Sequence, residues 1–150
     1  MLLETPATLL EIRADAADVR SASVWLQQHG DARAIPPDQI FRLDLCLNEA
    51  LANLIDHGGD DAALAPVRVC LESEVDGEGG HATLMISDTG RAFNPVTATP
   101  KAVPVSLAEA SPGGLGIELM RSFADEVTYS YLQGRNCLQF VVRWPINPSP

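Results

Sequence analysis

The segment from Gln39 to His57 constrains this chain more than any other part. Ile40, Leu43, Leu47, Leu51 and Leu54 recur at threes and fours, and Phe41, Leu45 and Ile55 widen the stripe. That spacing predicts one long amphipathic helix. Pro36-Pro37-Asp38 suits its first turn, and Gly58-Gly59 suits its end. Within it, Glu49, Asn53 and His57 recur at every fourth residue. Such residues advance roughly 400° and lie nearly above one another. A polar row along an otherwise apolar helix requires a purpose, because buried polar atoms cost free energy unless they find partners.

The remaining pattern alternates short strands with one more helix. Thr8 to Arg13 reads as a first strand, and Asp15 as the cap of a helix. That helix buries Val19, Ala22, Val24, Trp25 and Leu26 and ends near Gly30. Val67, Val69 and Leu71 alternate with Arg68, Cys70 and Glu72, which marks a half-buried strand. A turn at Asp76 to Gly80 joins it to a second strand, Ala82 to Ser87, as a hairpin. From Thr89 to Pro112 the periodicity fails, and the prolines at 95, 100, 104 and 112 mark a long irregular segment of the kind used as a lid. Leu115, Ile117, Leu119, Met120 and Phe123 predict a short helix opening at a glycine cluster. Val127, Tyr129 and Tyr131 form a strand, residues 133–136 a turn, and Leu138, Phe140 and Val142 a last strand before a tail from Pro145. There is no internal repeat. The expectation is an α/β two-layer sandwich in a single domain spanning residues 1–150, with a core of about 9–144.

Composition narrows the function classes. A chain of 150 residues with 46% hydrophobic and 20% charged residues has the makings of one globular core. No apolar run is long enough to cross a bilayer, and Met1 to Pro6 lacks the basic and apolar regions of a signal peptide, so a cytoplasmic protein is expected. Cys46, Cys70 and Cys137 are far apart, odd in number and flanked by apolar residues, and they read as reduced thiols in or beside the core. A net charge of −10 argues against nucleic-acid binding, which needs a basic surface. It is compatible with a single nucleotide held by magnesium, backbone N–H groups and helix ends, and with a partner that presents a basic face.

Three motifs carry chemistry. Asn53 offers a hard amide oxygen suited to magnesium, which takes few protein ligands and keeps waters and phosphate oxygens. Glu49, one turn earlier, is placed to orient or deprotonate a hydroxyl nucleophile. His57 suits the negative end of the helix dipole. Asp88-Thr89-Gly90 follows an apolar strand: the carboxylate can accept from an exocyclic amine such as that of adenine, and Gly90 admits a flat ring. Read alone, the same three residues are more often an ordinary turn. Gly113-Gly114-Leu115-Gly116 opens a helix, so unpaired N–H groups face a place where phosphates can sit. It is neither a Walker motif, since no Gly-Lys-Ser/Thr follows, nor a dinucleotide fingerprint, since no strand precedes it.

In this order the motifs resemble the GHKL ATPase superfamily with its Bergerat-type, histidine kinase-like fold. Its anti-sigma-factor serine/threonine-protein kinase branch is the best match. The boxes that carry the resemblance are residues 48–58, 88–95 and 113–121 running into Asp125-Glu126-Val127. The resemblance implies a mixed, mostly antiparallel sheet covered by helices on one face. It implies ATP and Mg2+ as cofactors, Glu49 as catalytic base and Asn53 as magnesium ligand. Asp88 and Gly90 would hold adenine, and Phe93, Gly113, Gly114, Leu115 and Gly116 would contact the nucleotide under a lid of about 94–112. It further implies phosphorylation of a serine on an anti-sigma-factor antagonist, sequestration of a sigma factor, and a homodimer. The sequence departs from the pattern at Ala92, where a second glycine is common, at Asn94, where an aspartate is frequent, and in the closing strand 136–142, which lacks the usual threonine. Lys101, in the lid, has no assigned role. Two other readings stay open: an ATP-binding module that works by sequestering a partner other than a sigma factor, and a detached histidine-kinase ATPase domain. The latter needs a helical hairpin bearing a phosphoacceptor histidine, a setting not expected for His29, His57 or His81.

Overall fold

The structure, a computed structural model, describes residues 7–57, 65–92, 94, 118 and 120–146. Five strands, β1 (Thr8–Ile12), β2 (Val67–Val75), β3 (Gly79–Asp88), β4 (Glu126–Leu132) and β5 (Arg135–Pro145), make one sheet in the order β1-β2-β3-β5-β4. Every pairing is antiparallel, so the mixed sheet expected from the resemblance is a purely antiparallel one among the described residues. Two helices, α1 (Ala16–Ala32) and α2 (Pro37–His57), supply the second layer, and residues 120–123 are also helical. The two-layer α/β arrangement expected from the sequence is present.

Alternation decides which strand face meets the helices. Val67, Val69 and Leu71 of β2, Ala82, Leu84 and Ile86 of β3, and Leu138, Phe140 and Val142 of β5 are buried. They pack with Ala22, Trp25 and Leu26 of α1 and with Ile40, Leu43, Leu47, Leu51 and Leu54 of α2 in one core. The opposite sheet face carries all three ion pairs found among the described residues: Arg68–Glu11, His81–Glu74 and Arg143–Glu126. These pairs are exposed and contribute little to stability. Among the described residues no helix is long and apolar enough to cross a membrane.

The apolar stripes are narrower than their sequence suggests. Phe41 is 59% and Val24 56% exposed, and Ile55 is exposed as well. Each helix meets the sheet along one side only, so apolar residues at the margin of a wide stripe stay in water. α1 ends at Ala32, near Gly30 as expected. Gly30 itself lies inside the helix where α2 crosses, and a Cβ there would come within 2.9 Å of the Ile40 side chain. The reversal falls at Ala34, which has a φ of 58°. The other expectations on α1 hold: Asp15 caps it by accepting from the Asp18 N–H at 2.8 Å. His29 lies on α1, which packs against α2 and the sheet, and its ring leans on Trp25 at 5.4 Å.

The hairpins follow their turn chemistry. Between β2 and β3, Asp76 Oδ1 accepts from the N–H groups of Glu78 and Gly79 at 2.8 and 3.0 Å. Gly80 lies under Trp144, whose ring would be 2.3 Å from a Cβ at that position. Between β4 and β5 the chain reverses through Gln133 and Gly134, both with positive φ, as a two-residue hairpin turn requires.

Candidate nucleotide site

The C-terminal half of α2 carries the first motif and is reached by the second. The buried residues of α2 include Cys46, Leu47, Ala50, Leu51, Asn53 and Leu54, so Asn53 occupies a place that the helical period reserves for an apolar side chain. Asn53 is only 9% exposed. Among the described residues its side chain makes no hydrogen bond, yet none of the described buried side-chain nitrogens or oxygens is orphaned. Its amide therefore borders open space rather than the closed core. That combination fits a hard cation with most of its ligands drawn from phosphate and water.

Glu49, one turn earlier, is half-buried. It has no hydrogen-bond or ion-pair partner among the described residues, and burial pushes its carboxyl above the ordinary glutamate value. A helix glutamate serving only solubility would extend into water. One that is partly desolvated and partnerless is suited to accept a proton from a hydroxyl brought to it. His57, the third member of the row, is exposed at the last position of α2, which agrees with a helix-end role. Asn48, beside Glu49, does something else. It donates to Ser23 Oγ at 3.1 Å, while Ser23 donates to Asp44 at 2.5 Å, and so it ties α2 to α1.

The second motif reaches α2 from the sheet. Asp88 ends β3, and Gly90 is buried just beyond it. Asp88 Oδ1 accepts from the Gly90 N–H at 2.8 Å. Arg91 Nη2 donates to the carbonyl of His57 at 3.4 Å, which ties this turn to the end of α2. On the other side, the helical residues before β4 touch α2 at Cys46, whose thiol donates to the Met120 carbonyl at 3.9 Å. Burial, and then the nearby Glu49 carboxylate, push the Cys46 thiol up to about 12, so it is inert at neutral pH. Cys46 is buried, Cys70 and Cys137 are half-buried, and all three are free, as expected. Phe93, Gly113, Gly114, Leu115 and Gly116, and the lid apart from Asn94, lie outside the described residues. Among those that are described, no three His, Cys, Asp or Glu side chains cluster as a metal site.

One residue of the site escaped the sequence. Asn136 on β5 is directly opposite Asp88 in the β3–β5 ladder and is 7% exposed. Its Nδ2 donates to Asp88 Oδ1, to the Gly90 carbonyl and to the Arg91 carbonyl, each at 3.1 Å. Its Oδ1 accepts from the Tyr129 hydroxyl of β4. The available signal was alternation: Asn136 shares the inward face with Leu138, Phe140 and Val142, and a polar residue at an inward strand position needs partners.

The chain as a whole has counterparts among known proteins. Residues 12–142 match the family described as histidine kinase-like ATPase domain. This chain belongs to that family. A relative of this histidine kinase-like ATPase domain, the serine/threonine-protein kinase BtrW of Bordetella bronchiseptica, is 30% identical over 129 residues, covering 86% of this chain and 88% of its own. The GHKL resemblance and its anti-sigma-factor kinase branch are thereby borne out. Solved structures share the fold at 13% identity. The RsbU and RsbW domains of a Mycobacterium tuberculosis protein align with a TM-score of 0.67 over 95% of this chain, which spans only 34% of that longer one. A chain from the SiaB–SiaC complex of Pseudomonas aeruginosa aligns with a TM-score of 0.64 over 94% of this chain and 89% of its own.

Proposed function

We propose that this histidine kinase-like domain is an ATP- and Mg2+-dependent serine/threonine protein kinase that acts as a cytoplasmic anti-sigma factor in a partner-switching system. Its substrate is a serine on an anti-sigma-factor antagonist. The observation that carries this reading is Glu49: a partly desolvated carboxyl without a partner among the described residues, one helical turn before the buried Asn53. The 30% identity to a protein named a serine/threonine-protein kinase supports it.

In this reading Glu49 orients the serine hydroxyl and takes up its proton as phosphoryl transfer proceeds. Asn53 contributes an amide oxygen to magnesium, which neutralises charge on the phosphates when bound. Asp88 accepts from the adenine amine, and buried Gly90 leaves room for the ring. The net charge of −10 favours partners with basic faces, and the active species is a homodimer that also sequesters a sigma factor.

The test is transfer from labelled ATP, in the presence of magnesium, to a serine-bearing antagonist by the wild type and by Glu49→Ala. Transfer by the wild type that is lost in the variant, with ATP binding kept, is the expected result. ATP binding without transfer by the wild type would replace the kinase with a nucleotide-dependent sequestering module.

A further inference from the structure

A carboxylate that recognises an amine must be held still, and Asp88 is held by a residue of another strand. We propose that Asn136, itself oriented by Tyr129, is the positioning residue that makes Asp88 a one-sided acceptor and so sets the preference for an amino-substituted over an oxo-substituted purine. The inference rests on the ATP reading of the site and deepens it.

The polarity of this network is fixed by its surroundings. An asparagine amide can in general be turned either way. Here Nδ2 faces three oxygens at 3.1 Å, and turning the amide over would set its own oxygen against all three. The Tyr129 hydroxyl supplies the donor that Oδ1 needs. Asn136 is almost fully buried, so the arrangement is shielded from competing water.

The consequence falls on Asp88. Its Oδ1 receives two donors, the Gly90 N–H and Asn136 Nδ2. Its Oδ2 receives none among the described residues. An ionised carboxylate only accepts, so the open oxygen welcomes an N–H2 group and repels a carbonyl. A hydroxyl side chain in place of Asn136 carries a single hydrogen and cannot serve the carboxylate and both turn carbonyls. The longer amide carries two, so with one of them shared between neighbouring oxygens it ties the carboxylate and the turn together.

The experiment measures binding of ATP and of inosine triphosphate, in which the amine is replaced by an oxo group. The proteins are the wild type, Asn136→Ala, Asn136→Thr and Tyr129→Phe. The wild type is expected to prefer ATP by about 10–100-fold, the range of a hydrogen bond to a charged group. Asn136→Ala is expected to bring the ratio to within about threefold, mainly by losing ATP affinity. Asn136→Thr restores part of the preference. Tyr129→Phe, which leaves Asn136 in place, gives an intermediate ratio and keeps the test open if Asn136→Ala fails to fold. Parallel weakening of both nucleotides, with the ratio unchanged in the folded variants, would show a merely structural role and overturn the proposal. A wild type that binds ATP without preference would overturn it as well. A wild type that binds neither nucleotide removes the ATP reading, and this inference with it.

Discussion

Strand β3 begins and ends with an Asp turn, and the two turns use the same residue type for opposite purposes. At the hairpin end, exposed Asp76 is held only by its own turn, its Oδ1 accepting from the N–H groups of Glu78 and Gly79. Those bonds hold its carboxyl below the ordinary aspartate range, and Gly79 and Gly80 lie against Trp144. At the other end, Asp88 uses one oxygen for the Gly90 N–H and is gripped from β5 by Asn136, so that its second oxygen stays open among the described residues. Nearby on α2, Glu49 and Asn53 are likewise withheld from partners. An exposed carboxylate bound only to its own turn serves that turn. One that is half-buried and oriented from another strand is suited to a ligand, because partly buried polar groups left without partners cost stability that binding can recover.

Three outcomes sharpen or break this contrast. The largest is expected from paired substitutions. Asp88→Asn should weaken ATP binding by roughly 100-fold, since it puts a donor beside the amine, while Asp76→Asn should leave the affinity unchanged within about twofold. Calorimetric titration measures both, and equal losses would erase the distinction between the two turns. Next is Gly80→Ala, which must displace the Trp144 ring. It should destabilise the fold by about 1–3 kcal/mol in urea denaturation, with the nucleotide affinity of the folded protein intact. An affinity loss larger than the unfolded fraction explains would show that the hairpin end and the site end are coupled.

The smallest effect is one of sign. The Glu49 carboxyl is raised by burial, so the folded state binds its proton more tightly than the unfolded chain does. Its charged form therefore opposes folding, by an amount that appears as pH rises from the ordinary glutamate value through the raised one. Glu49→Gln should increase the melting temperature slightly at neutral pH, and this gain should vanish in acid below the ordinary glutamate value. Asp76 is lowered by its backbone hydrogen bonds, so its contribution is present above the ordinary aspartate value and is lost as pH falls through the lowered one. Asp76→Asn should lower the melting temperature at neutral pH and converge with the wild type in acid. Thermal melts of both variants across the acid range check the signs, and like signs would contradict the division between site and support.

Much of the molecule was legible one segment at a time. The stripe from Ile40 to Leu54, the Asp15 cap and the alternation in β2, β3 and β5 are local patterns, because helical and strand periods assign faces without reference to the rest of the chain. Glu49, Asn53 and Asp88 were legible for the same reason: a polar residue at an apolar position, or a carboxylate closing an apolar strand, violates a local rule. Phe41 and Val24 were misread because the number of sides on which a helix is covered is set by neighbours distant in sequence.

By itself, then, the sequence determined which segments are helix and strand, which faces point inward, and which residues are chemically out of place. Only the tertiary structure decided the strand order that inserts β5 between β3 and β4, and with it the meeting of Asn136 and Asp88 across 48 residues of chain. The physical reason is that backbone periodicity is a property of near neighbours. The partner of a strand, and so the hydrogen bond that orients a carboxylate, is selected by whichever packing of the whole sheet buries the common apolar face while satisfying every polar group enclosed with it.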